Sequence, residues 1–504
     1  MKKNPLAPLG KDRIYFLLFC LILILAVGIR LKFFRMGSLW PDEALYGWYA
    51  KQIFHNPFLI FSKDIIEFHP PLFSVLLSLG HFLFPGELAC RFIVMLINLT
   101  GIIGIYILGV KIRDRFLGVF CALCLSFHFI YLTHSFRILP DGVLTVFLIY
   151  VMIALLNISQ KDSWPGRLWV GIAATLVILL KWTGLLVIPI MIGYYFLAFP
   201  GKSFKARYWE AMRGVALPVA AALFLLINNY FQLGSFLPDV SALKGAYLVK
   251  PFWYYATHFL NIIIVPFLIP LFFYGAYQGL KRRDKKDILL LLMFAVFISV
   301  ISFTPEKDLR YSLVVIPVLI LISGTGLWDI LSRYFKSKED LFKAQCLVLL
   351  AAAAIFVLLY PRTGKLLKYE EKQFTGFSEA GAFLKKEIDL YPGAIVLAGS
   401  PRIVRYYSGI NFKESGGNLM AIPSAKDDFL KLIRRYDDNM ILIIDNWEKT
   451  QPAFVYPLTA ANLEFLSGLG FRLTKTIRKE IAGNSDAVKD VSVIWIFLKD
   501  RHDL

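Results

Sequence analysis

Apolar residues in this chain come in runs, and most of the runs have a similar length. Stretches near 14–34, 89–110, 117–134, 142–159, 168–181, 184–200, 214–232, 258–280, 287–303, 311–331 and 343–360 are almost wholly apolar, with polar loops between them. A helix needs about 20 such residues to cross a bilayer's hydrocarbon core. The pattern therefore predicts about eleven membrane-spanning helices. The run PLFSVLLSLGHFLF at 71–84 differs. At about 1.5 Å per residue it reaches only about 21 Å. It is expected as a re-entrant or surface-lying helix that does not cross.

Loop charge tests that expectation. If 71–84 does not cross, KIRDR (111–115), QKDSWPGR (160–167), GKSFKARYWEAMR (201–213), KRRDKKD (281–287) and SRYFKSKEDLFK (332–343) share one side with the basic head Lys2, Lys3, Lys11 and Arg13. The positive-inside rule makes that side the cytoplasm. If 71–84 did cross, most of these clusters would face outward. The first apolar run has no small-residue cleavage site before it ends and reads as a retained first span. The predicted placement is a cytoplasmic membrane with the N-terminus inside.

From about 361 the periodicity changes. GAIVLAG, NMILIIDN and DVSVIWIFLKD are strand patterns, and GFSEAGAFLKKEI, KDDFLKLIRRY and ANLEFLSGLGF are amphipathic helical ones. Alternation of the two predicts a small α/β domain outside the membrane. The expected division is a membrane module at 1–360, with an outer loop at 35–88, and an extracytoplasmic domain at 361–504. No tandem repeat is evident.

Composition agrees. The chain has 504 residues, 57% of them hydrophobic, and a mean hydropathy of +0.61, which excludes an ordinary soluble domain. The formal charge of +19 would suggest nucleic acid in a soluble protein. Here it resides in short loops, and no nucleic-acid partner is expected. Cys121 and Cys124 form a CxxC on a predicted span. Without a second ligand pair it reads as helix packing rather than redox chemistry or zinc.

The predicted outer face collects the candidate chemistry. The segment SLWPDEALYGWYAKQ (38–52) carries Asp42 and Glu43, and the same loop holds Glu67 and His69. Later outer segments hold Arg137 and Asp141, Lys181, the 233–257 loop with Asp239, Lys244 and Lys250, and TPEKDLRYS (304–312) with Glu306, Lys307, Asp308 and Arg310. Ionisable groups at membrane depth are functional candidates by default. Cations there suit a lipid-borne phosphate, with arginine offering bidentate contacts. A nearby carboxylate suits a general base for an acceptor hydroxyl.

The acidic pair, HPPL (69–72), RxxxD (Arg137 to Asp141), LLKWTG (179–184) and LRYSLVVIP (309–317) occur in that order. In this the chain resembles the GT-C glycosyltransferases, in particular the protein mannosyltransferase and aminoarabinose transferase group, over about 10–330. The resemblance implies a membrane glycosyltransferase that takes a polyprenyl-phosphate sugar and passes it to an acceptor hydroxyl on lipid, protein or glycan. It implies that Asp42 is the base, that Asp141 supports donor or acceptor geometry, and that Arg310 neutralises the donor phosphate with His69 close to it. Arg137 and Lys181 are further phosphate candidates. Aminoarabinose transferases carry Glu immediately before the Lys-Pro that matches His69-Pro70, used around a metal. Here that position is Phe68, with Glu67 one residue earlier. Glu67 is the one metal-ligand candidate, and the resemblance leaves a divalent metal open.

Each of these residues has a plainer reading. Asp42 and Glu43 suit the first turn of a helix, and Glu43 reads equally as a second catalytic acid beside Asp42. Arg137 and Asp141 suit an i,i+4 ion pair. Lys181 suits snorkelling, and Lys307 and Glu306 suit solvated loop charges. Trp40, Tyr46, Trp48 and Tyr49 suit an interfacial aromatic belt. Two other function classes compete: a transporter of a polar or anionic solute, and a scaffold displaying the C-terminal domain.

Overall fold

The computed structural model describes residues 11–34, 37–66, 69–160, 163–199, 203–236, 250–258, 263, 265–304, 307–436, 439–447, 451–480 and 491–499. The chain folds as two compact units, 1–34 with 53–363 and 35–52 with 364–504.

The first unit is helical. Among the described residues, seven helices are long and apolar enough to cross a membrane: Lys11–Lys32, Glu87–Ile112, Pro140–Gln160, Phe204–Leu233, Lys285–Phe303, Ile316–Tyr334 and Lys338–Lys368. Arg115–Phe127, Trp164–Leu180, Trp182–Ala198 and Leu268–Arg282 occupy the remaining expected spans but are shorter. The protein is a multi-pass membrane protein. The short run after Pro71 forms the Leu72–Leu79 helix and a 3-10 turn at Gly80–Phe82. Its length stays well below a span.

Local chemistry sets the helix starts. Asp114, Ser163, Ser203 and Asp284 each accept a backbone N–H with the side chain at an N-cap. Two boundaries differ from the sequence pattern. The run at 117–134 is broken at His128, whose backbone is extended and whose carbonyl starts a second helix, Phe129–His134. The run at 311–331 begins as a 3-10 turn, Leu309–Val314, before the Ile316–Tyr334 helix. Pro317, at the start of that helix, offers no N–H to continue an earlier one. Between Leu268–Arg282 and Ile316–Tyr334 the backbones approach closely. A Cβ on Gly275 would sit 2.1 Å from the Ile322 carbonyl oxygen, so only glycine fits there. Cys121 and Cys124 are fully buried in their helix.

The second unit contains a five-stranded sheet in the order β2-β1-β3-β5-β4. Its strands are β1 (Ile395–Ala398), β2 (Leu419–Ala421), β3 (Met440–Asp445), β4 (Phe471–Glu480) and β5 (Val491–Lys499). β1 lies parallel to β2 and β3, and β5 runs antiparallel to β3 and β4. The Lys426–Arg435 and Ala460–Gly468 helices contribute Phe429 and Leu466 to a core with Leu442, Ile444 and Phe497. β4 reads FRLTKTIRKE, too charged to announce itself as a strand. The Phe377–Leu390 helix matches its pattern, whereas Pro401–Ser408 is an eight-residue helix outside it.

Candidate active site

The charges of the membrane unit gather at two ends of its helices. At one end, Asp287 accepts from Arg282 at 2.8 Å and from Arg113 at 3.4 Å, and Arg282 also pairs with Asp329. The Trp328 indole donates to Asp114 at 2.8 Å, and Arg113 lies 5.6 Å from that ring. Lys285 and Lys286 donate to the carbonyls of Ser159 and Ile112, where two spanning helices end. KIRDR and KRRDKKD are thus one knitted end of the bundle.

The other end lies at the start of Pro140–Gln160, about 30 Å away along that helix. Pro140 occupies the first helical position and Asp141 the first turn. The Asp141 carboxylate is buried and accepts from Lys181 Nζ at 2.6 Å. Lys181 stands where the Trp164–Leu180 helix stops: its backbone is extended, and the Trp182–Leu186 3-10 turn follows. Lys181 Nζ also sits 4.8 Å from the Tyr311 ring. Arg310 lies 5.4 Å from the same ring and near enough for its charge to act on Asp141. Its Nε is 3.5 Å from Asp308, which also caps the 3-10 turn through the Arg310 N–H. Asp141, Lys181, Tyr311 and Arg310 therefore form one cluster from three separate segments. Removing such charges from water is costly unless they are matched or serve a ligand.

Other candidates fall around it. Arg137 is fully buried in the bend before Pro140, and its charge acts on His134. His134 Nδ1 donates to the Ile130 carbonyl at 2.9 Å. His69 is partly buried ahead of the Leu72–Leu79 helix. Lys307, read from sequence as a solvated charge, is buried: it donates to the Lys250 carbonyl at 3.0 Å, and Lys250 returns a bond to the Lys307 carbonyl at 2.7 Å. Glu67, Asp239, Lys244 and Glu306 lie outside the described residues. Among the described residues no group of three or more His, Cys, Asp or Glu is arranged to hold a metal.

The acidic pair belongs to the second unit. Asp42 and Glu43 occupy the first turn of the Pro41–His55 helix. Glu43 is fully buried, and its Oε2 accepts the Trp40 N–H at 3.0 Å, the return half of a capping box. Asp42 is 40% exposed, and its Oδ1 lies 3.3 Å from Arg402 Nη1. The aromatic belt expected here is instead interior: Tyr46, Trp48 and Tyr49 are buried in protein. Sequence reasoning also passed over Tyr311, Arg402, and the fully buried Arg30 and Arg91 inside spanning helices. The signal available for the last two was a cation interrupting an apolar run.

Comparison with known proteins follows this geometry. Residues 68–228 match the family model described as dolichyl-phosphate-mannose-protein mannosyltransferase. A curated relative, the Saccharomyces cerevisiae Dol-P-Man:Man(7)GlcNAc(2)-PP-Dol alpha-1,6-mannosyltransferase, is 27% identical over 124 residues, which is 22% of each chain. The match thus spans about a fifth of that relative's length. Among solved structures, ArnT from Cupriavidus metallidurans bound to undecaprenyl phosphate is similar with a TM-score of 0.61 at 14% identity, over 95% of this chain and 97% of that one. The Archaeoglobus fulgidus oligosaccharyltransferase tethered with an acceptor peptide is similar with a TM-score of 0.55 at 15% identity, over 86% and 71%. At 14% and 15% identity, the likeness to these two structures is one of fold.

Proposed function

We propose that the chain is a glycosyltransferase that moves a sugar from a polyprenyl-phosphate donor to an acceptor hydroxyl. The observation that carries this reading is the cluster of buried Asp141 and Lys181 with half-buried Arg310 on a GT-C fold. Two cations beside one fixed carboxylate suit the phosphodiester of a polyprenyl-phosphate sugar and the phosphate monoester it leaves. The transporter alternative gains no observation of its own.

Arg310 and Lys181 receive the donor phosphate, assisted by Arg137 and His69. Asp141 holds the Lys181 ammonium in place. Asp42 accepts the proton of the acceptor hydroxyl. The new bond forms from the acceptor oxygen to the anomeric carbon as the bond from that carbon to the phosphate oxygen breaks. The electron pair leaves with the polyprenyl phosphate, whose charge the cations stabilise. A single displacement inverts the anomeric centre, as in inverting glycosidases. Phosphate leaves without a general acid. Glu43 serves by fixing the turn that presents Asp42. The acceptor is a lipid, protein or glycan, met on the outer face of the cytoplasmic membrane, with the N-terminus inside and the C-terminal domain outside.

The test uses the full chain in nanodiscs, a panel of synthetic polyprenyl-phosphate sugars (mannose, glucose, galactose, arabinose and aminoarabinose) and an envelope extract as acceptor. Released polyprenyl phosphate together with an inverted glycoside supports the reading. A fully folded chain that turns over none of them overturns it.

A further inference from the structure

The Pro401–Ser408 helix has no part in the chemistry assigned above, yet it packs against the helix that carries Asp42. Arg402, Arg405 and Tyr406 fall at i, i+3 and i+4 and so share a face. Arg402 Nη1 is 3.3 Å from Asp42 Oδ1. The Arg405 guanidinium is buried between two rings, 4.6 Å from Trp48 and 4.8 Å from Phe412. Tyr406 lies over Gly47, where an added Cβ would be 3.0 Å from the tyrosine Cε2. A glycine weakens the middle of a helix; here it admits the tyrosine ring. The Tyr407 hydroxyl accepts the Leu39 N–H at 3.2 Å, just ahead of the first turn. The two short segments therefore meet at four successive places.

The contacts differ in kind. Arg405 is buried, and Tyr406 and Tyr407 are partly buried in the contacts that fix the helix. Arg402 and Asp42 are both partly exposed, and an ion pair of that sort adds little to folding. Its effect is directional: a charge-assisted bond to Oδ1 favours one orientation of the carboxylate. We propose that Arg402 is a positioning residue for Asp42, and that the Pro401–Ser408 helix is the clamp through which the C-terminal domain serves the reaction. The inference rests on the assignment of Asp42 as base.

Five proteins test it in nanodiscs: wild type, Arg402→Gln, Arg402→Lys, Asp42→Asn and the Asp42→Asn/Arg402→Gln double variant. Turnover is read with the sugar lipid of the panel that wild type consumes fastest. Arg402→Gln is expected to lose about 10- to 100-fold in kcat, the range typical of a misplaced reacting group. The donor KM and melting temperature should stay near wild type. Arg402→Lys should recover most of the loss, and the double variant should be no slower than Asp42→Asn. Carbodiimide labelling of Asp42, read by mass spectrometry without substrate, should run several-fold faster in Arg402→Gln. An inactive Asp42→Asn beside a fully active Arg402→Gln overturns the inference alone, as does unchanged labelling. A loss of kcat that only tracks a fall in melting temperature also overturns it. A fully active Asp42→Asn removes the base assignment, and the inference with it.

Discussion

The two charged ends of the membrane unit use similar residues differently. At the Arg282 end Asp114, Asp284, Asp287 and Asp329 meet Arg113, Arg282 and a tryptophan, and Lys285 and Lys286 donate to helix-end carbonyls. Asp287 there is only 3% exposed, and each of its oxygens takes an arginine. At the Asp141 end, the described residues of 137–141, 181, 250 and 307–310 include two carboxylates, Asp141 and Asp308, and five cations, Arg137, Lys181, Lys250, Lys307 and Arg310. Ion pairs and bonds to helix-end carbonyls tie the Arg282 end together. A cation surplus at membrane depth is tolerated where it meets an anion from elsewhere. The comparison teaches that neither sidedness nor a surplus of cations marks a site by itself; what each charge is paired with has to be read as well.

Substitutions can break this contrast. The largest effect is expected from Arg310→Gln, with about 100-fold weaker binding of polyprenyl phosphate and an almost unchanged melting temperature; titration of nanodisc protein with undecaprenyl phosphate checks it. At the opposite end Asp287→Asn should do the reverse. It leaves Arg113 and Arg282 poorly matched and is expected to lower unfolding stability by about 3 kcal/mol, while turnover per folded molecule holds. Lys181→Arg keeps the charge but not the shape of the Asp141 contact, so a loss under about 10-fold in turnover is expected. The smallest effect belongs to Glu339→Gln. It and its partner Lys343, one helical turn on, are both exposed, so neither turnover nor melting temperature should move. If Asp287→Asn lost turnover as Arg310→Gln does, the distinction between the two ends would fail.

Much of the fold was legible because a membrane helix is written in consecutive apolar residues. The boundaries near Lys181 and Lys285 follow from the same rule. What escaped was decided by three-dimensional partners. His128 breaks an apolar run that periodicity treats as continuous. β4 is paired to β5 along its length and needs no apolar alternation of its own. In the candidate site, Asp141 and Arg310 were legible as ionisable residues in predicted outer segments, and the Lys181 partnership was not. An i,i+4 reading paired Asp141 with Arg137, whereas Lys181, forty positions later, takes its carboxylate. Arg402 was invisible for a similar reason: it lies 360 positions from Asp42. Glu43 had a local reading as a first-turn acid, and its bond to the Trp40 N–H is of that local kind.

The central claim is that the Asp141 end receives a lipid phosphate. The most direct measurement is a cryo-EM structure of the full chain in nanodiscs with saturating undecaprenyl phosphate. The account predicts phosphate density within hydrogen-bond reach of Arg310 and Lys181, with Asp141 still paired to Lys181. Density beside Arg282 at the opposite end, or an Arg310–Lys181 cluster unchanged and bare at saturating lipid, would contradict it.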